Sequence, residues 1–139
     1  MVFAGINYLA VIVAAVASFA FGSVYYMTLG KAWKAALGKT EAELKGGGKM
    51  SPLPFVIAAL AQMIMAYFLA GMMGHLGAEA ISVTKGLITA FFVWLGFVIT
   101  AMAVNHAFQG AKRALTLIDG GHWFGVLLIQ GLVIGLFGP

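Results

Sequence analysis

The strongest constraint on this chain is where its charges are missing. No Asp, Glu, Lys or Arg occurs from Met1 through Gly30, so the first apolar run, 5–28, is free of charge. Three more runs, 52–75, 86–108 and 115–137, are equally apolar apart from one carboxylate, Asp119. As a helix, each is long enough to cross about 30 Å of hydrocarbon, which takes about 20 residues. With 63% hydrophobic and 9% charged residues and a mean hydropathy of +1.03, a chain of 139 residues has more apolar surface than a water-soluble domain can hide. A bilayer hides it. The expected fold is therefore all-α: an integral membrane four-helix bundle, one domain over 1–139, with short second and third connections that make neighbouring helices antiparallel, up and down.

Within the runs, small residues recur at helical spacing. Ala10, Ala14, Ser18 and Gly22 form one face of the first run, and Ala58, Gln62, Ala66, Ala70 and Gly74 one face of the second. Gly96 and Thr100 lie four apart in the third, and Gly121/Gly125 and Gly131/Gly135 pair in the fourth. Such faces let helices approach closely, and Gln62 is expected to hydrogen-bond to a neighbouring helix. One of these faces, if not needed within the four helices, is available for a homodimer. The first run starts without Lys or Arg, unlike a secretory signal, and reads as a retained span.

The loop 29–51 differs in character. Lys31-Ala32-Trp33-Lys34-Ala35-Ala36-Leu37 reads as a short amphipathic helix at the membrane surface, with Trp33 and Leu37 dipping in while Lys31 and Lys34 stay wet. Gly38 ends it. Thr40 and Glu43 have the spacing of a capping box for a second short turn through Leu44, and Gly46-Gly47-Gly48 is a flexible joint. Ser51-Pro52 then opens the second long helix, a cap followed by proline at the first helical position.

Net charge +4 does not point to nucleic acid here, because the basic residues flank apolar runs and face the lipid bilayer. Lys31, Lys34, Lys39, Lys45, Lys49, Lys112 and Arg113 fall in the first and third loops, and only Lys85 falls on the other side. A seven-to-one division places those two loops in the cytoplasm and both termini outside.

Gly22-Ser23-Val24-Tyr25-Tyr26, followed by Gly30-Lys31-Ala32-Trp33, resembles the end of the first helix and the next loop in a bacterial membrane family catalogued as domain of unknown function 1761. Trp94-Leu95-Gly96-Phe97, Asn105 and Leu117-Ile118-Asp119-Gly120-Gly121 resemble its third and fourth helices, in order and spacing. Tyr25 departs from the Trp-Tyr expected there. The resemblance covers nearly the whole chain and implies a small multi-pass inner-membrane protein. It brings no catalytic residue, substrate or cofactor with it.

The polar groups that a membrane tolerates least gather around the turn at 110–114. Asn105 and His106 lie just before it, and Asp119 and His122 just after, three apart on one helical face. Tyr25 and Tyr26 end the first run at the same side, so all six form a candidate polar site. Burying the ionised Asp119 costs about 2.5–3.5 kcal/mol on insertion scales, so a partner, a proton or water must compensate. Three uses fit. Asp119 can tie the third helix to the fourth through Asn105 or His106, as in a structural or accessory membrane protein. It can instead take up protons in a proton-coupled transporter of a small molecule or ion. Small four-span drug exporters place their acid in the first helix, which has none here. Third, His106, Asp119 and His122 offer ligands of the kind zinc accepts, whereas two histidines at unequal depths are a poor start for a bis-histidine haem. An enzyme has no support: no serine or cysteine nucleophile stands beside a base, and no phosphate loop is present. The eight methionines form no dense cluster and read as apolar filler.

The charge division makes a direct prediction. A cysteine introduced as Gly47→Cys is expected to react with membrane-impermeant reagents only after the cytoplasmic face is opened. Labelling in intact cells overturns the orientation.

Overall fold

The computed structural model describes residues 5–139, so the expected exterior placing of the N-terminus concerns residues that lie outside the described ones. Among the described residues the structure is helical, with no strand. In chain order come α1 Tyr8–Thr28, α2 Gly30–Leu37, α3 Glu41–Lys45 and α4 Leu53–His75, then a 3₁₀ turn Ala78–Ala80. There follow α5 Val83–Val93, a π-helical segment Trp94–Val98, α6 Ile99–Phe108 and α7 Arg113–Phe137. α5, the π segment and α6 together make the third long helix, Val83–Phe108. Four helices are thus long and apolar enough to cross a membrane, as the four runs imply.

Local chemistry sets most of the ends. Asn7 caps α1 by accepting from the Ala10 N–H at 3.0 Å, which moves the start to Tyr8. Thr40 accepts from the Glu43 N–H at 3.2 Å, as the capping-box spacing requires. Ser82 likewise accepts from the Lys85 N–H, and this cap starts the third helix three residues ahead of the expected Gly86. Gly38 ends α2 with φ +74°, a left-handed conformation that suits glycine.

α7 is the helix the others share. It touches α1, α4, α5 and α6, and also α2, which folds back over its first turns. Of its most apolar stretch 39% is buried, against 6% for the third long helix, so α7 is central and the third helix peripheral. The core is built from small residues with a few larger ones. Val11, Ala14 and Ala15 of α1 meet Ala66, Leu69 and Met73 of α4, with Ala90 of α5 and Leu127 and Ile134 of α7. The expected face of the first run, Ala10, Ala14, Ser18 and Gly22, is buried; of the second, Gln62, Ala66 and Ala70 are buried while Ala58 and Gly74 at its ends are only partly so.

The glycines of α7 divide their work. Gly121 and Gly125 make room for Tyr25 and Phe21 of α1. On another face, Gly131 lies against Gly86 of α5 so closely that a Cβ on either would collide with the other's carbonyl oxygen. The third helix turns its bulk outward, with Phe97 75% and Phe108 91% exposed. Such a surface suits lipid and not water. Gly96 also has open space around it, so the Gly96/Thr100 pair packs no neighbour among the described residues.

Gly131→Ala is expected to destabilise by about 1–3 kcal/mol, because the added methyl meets backbone that cannot step aside. Gly96→Ala should cost nothing measurable. Equal melting of both variants in lipid nanodiscs would show that α5 and α7 are not in close contact.

Candidate polar site at the basic end

Two sets of polar side chains cross between the helices. The first is buried midway along them. Ser18 Oγ of α1 donates to Gln62 Oε1 of α4 at 2.8 Å. Gln130 Nε2 of α7 donates both to Ser18 Oγ at 3.1 Å and to the Gln62 carbonyl oxygen at 3.0 Å. None of the three is more than 2% exposed, so the contacts are shielded from water and lipid alike. Leaving these amide donors unpartnered at that depth would carry a penalty of several kcal/mol, and the buried Gln130 Oε1 is left without a partner among the described residues. Gln62 thus makes the interhelical bond expected of it. Gln130 joins it from α7, and its only sequence signal is an amide within an otherwise apolar stretch of the fourth run.

The second set lies at the end that carries the basic loops. Tyr26 of α1 donates to Asp119 Oδ1 of α7 at 2.6 Å, and Tyr25 donates to the Ile118 carbonyl at 2.7 Å. Trp94, in the π segment, donates from Nε1 to the Gly120 carbonyl at 2.9 Å. Three successive residues of α7, Ile118, Asp119 and Gly120, are therefore held from two sides. The π segment inserts an extra residue into a turn, a feature that often marks a specific contact.

His122 sits one turn further along α7 and is 6% exposed. Its ring centroid lies 4.8 Å from that of Tyr26, 4.7 Å from Trp123 and 5.7 Å from Tyr25, with Phe21 stacked at 6.3 Å. Gly22 leaves the slot it occupies: a Cβ there would stand 2.6 Å from His122 Nε2. Among the described residues the buried Nδ1 of His122 has no hydrogen-bond partner.

Tyr25, Tyr26, Asp119 and His122 are brought together as the sequence suggests. The other two candidates are not part of that group. His106 Nδ1 is paired with Thr116 Oγ1 at 2.8 Å, which ties α6 to α7 without involving Asp119. Asn105 is exposed on α6 and forms no hydrogen bond to the rest among the described residues. The shared turn matches their depth along the helices but leaves the rotation of each helix free. Asp119 is consequently tied to the first helix and not to the third. Among the described residues, no three His, Cys, Asp or Glu side chains are grouped as a metal ion would need, which removes the geometric support for His106, Asp119 and His122 as a ligand set.

α2 roofs this end. Trp33 meets the Tyr26 ring edge-on at 5.8 Å, Ala36 is buried, and Lys112 Nζ donates to the Ala35 carbonyl at 3.1 Å. Lys31 is exposed, whereas Lys34 is paired with Glu41 at 3.2 Å. The Lys34 hydrogen bond, helped by the charges of Lys34 and Lys45, holds the Glu41 carboxyl below its ordinary range.

Four long apolar helices, laced by polar bonds between them, define an all-helical protein of the multi-pass membrane class. The chain belongs to the family described as Protein of unknown function (DUF1761), whose profile matches residues 9–135. Curated proteins and solved structures give no match.

Tyr26→Phe is expected to destabilise by about 1–3 kcal/mol, since it leaves a carboxylate within the bundle without its donor. Tyr25→Phe should cost less, because the Ile118 carbonyl keeps its place in the helix. Comparing the two in nanodisc unfolding tests this, and the reverse order would show that Asp119 does not depend on Tyr26.

Proposed function

We propose that this is a small multi-pass protein of the bacterial inner membrane acting as a structural or interaction partner there, and not as a conduit. In this reading the four long helices run antiparallel, up and down. Loops 29–51 and 109–112, with Arg113 at the start of α7, face the cytoplasm, where the seven-to-one division of basic residues favours them, and the termini face outward. α2 then lies amphipathically at the cytoplasmic surface, with Trp33 turned toward Tyr26 and Lys31 toward the headgroups.

The observation that carries the reading is the use to which the polar side chains are put. Ser18, Gln62, Gln130, Tyr25, Tyr26, Asp119, Trp94 and His106 all hydrogen-bond across to another helix. They act as fasteners. A conduit would instead line a water-filled path with such groups, facing one another across space. A homodimer, if formed, has one small pair left to use, since the faces of α1, α4 and α7 are filled from within the chain. That pair is Gly96 with Thr100, both exposed.

The second reading, a proton-coupled transporter centred on Asp119, is favoured by one feature: a half-buried carboxylate one turn from a buried imidazole with no hydrogen-bond partner at Nδ1 among the described residues. Proteoliposomes holding a pH-sensitive dye separate the two. Under an imposed pH gradient or membrane potential, flux is expected to equal that of empty liposomes. A flux that Asp119→Asn abolishes would replace the accessory reading with the transporter.

A further inference from the structure

His122 is the one buried ionisable side chain that the fastening scheme leaves unused. Both tyrosines beside it are already committed, Tyr26 to Asp119 and Tyr25 to the Ile118 carbonyl. A neutral imidazole offers one donor and one acceptor, and the buried Nδ1 of His122 has no hydrogen-bond partner among the described residues. Its slot is nevertheless built with care: Gly22 clears the space, and Phe21, Tyr26 and Trp123 close round the ring. Aromatic faces attract cations, and a carboxylate stands one turn away on the same helix.

We propose that His122 is a proton-binding site, in which the aromatic slot and the Asp119 carboxylate together receive the imidazolium. A hydronium ion at the basic end gives up the proton, one O–H bond breaking to leave water as the N–H bond forms on a ring nitrogen. Protonation turns an imidazole and a carboxylate into an ion pair of zero net charge, a form that a low-dielectric interior tolerates better than either ion alone. The new positive charge also competes with the Tyr26 hydroxyl for Asp119, so proton uptake bears on the bond that fastens α1 to α7.

Arg113 at the start of α7 is exposed, as are Lys39, Glu43, Lys45 and Lys49 of the loop at this end. α1 brings the two tyrosines. α2 carries Lys31, which is exposed, and Lys34, which is paired with Glu41. Lys112 is bonded to Ala35, and His106 of α6 to Thr116. Asp119 is the nearby acid. The proposal is independent of the accessory reading, since a bound proton need not be carried across.

The test is a ¹⁵N-histidine NMR titration of the full chain in nanodiscs, with the His122 signal assigned by its loss in His122→Gln. Between about pH 5 and 8, where imidazole titrates, the signal is expected to pass from neutral to doubly protonated. In Asp119→Asn its midpoint should fall by roughly one pH unit, the lower end of what an adjacent opposite charge produces. In Tyr26→Phe, which frees the carboxylate for His122, the midpoint should rise. A signal that stays neutral to pH 5 overturns the proposal. So does a midpoint that moves in neither variant, because His122 would then be a packing residue that happens to titrate.

Discussion

Everything in this fold answers to one constraint: a polar group within a bilayer has to find its partner inside the protein. The Ser18–Gln62–Gln130 cluster meets that constraint for three helices at once through its donors, although the buried Gln130 Oε1 has no partner among the described residues. One hydroxyl both donates and accepts, and one amide reaches a side chain and a backbone carbonyl. Apolar packing between helices gives little direction in lipid, since lipid tails are as apolar as leucine. The cluster supplies that direction, because α1, α4 and α7 satisfy it only at one depth and one rotation.

The small residues then decide how near the helices come. Gly131 against Gly86, and Gly121 and Gly125 against Tyr25 and Phe21, bring α5 and α1 onto two different faces of α7. That approach is what lets Tyr26 reach Asp119 and Trp94 reach the Gly120 carbonyl. The site at the basic end is therefore a product of packing further along α7. Its one loose thread is His122, enclosed by rings but without a hydrogen-bond partner at Nδ1 among the described residues, and loose threads of this kind in membrane proteins tend to be where function lies.

Much of this could be read from the residues. The four apolar runs and the four-residue spacing of Ala10, Ala14, Ser18 and Gly22 correctly mark the helices and the buried face of α1. The capping residue Thr40 and the terminating Gly38 are local signals, and they act locally. What could not be read depends on the rotation of one helix against another. The turn at 110–114 gives His106 and Asp119 comparable depth, yet His106 finds Thr116 and Asp119 finds Tyr26 from a helix far off in sequence. The π segment at Trp94–Val98 has no marker in its own residues, because its reason is the distant carbonyl of Gly120. Family membership adds breadth to the picture without adding a ligand or a reaction.

The central claim is that buried polar contacts fix α7 among its neighbours. A double-mutant cycle of Ser18→Ala and Gln130→Leu, followed by reversible unfolding in bicelles or nanodiscs, measures it most directly. The account predicts a favourable coupling of about 0.6 kcal/mol or more, the range of interhelical hydrogen bonds in membranes, with each single variant less stable than the parent. Strictly additive changes, or a Gln130→Leu variant as stable as the parent, would contradict it.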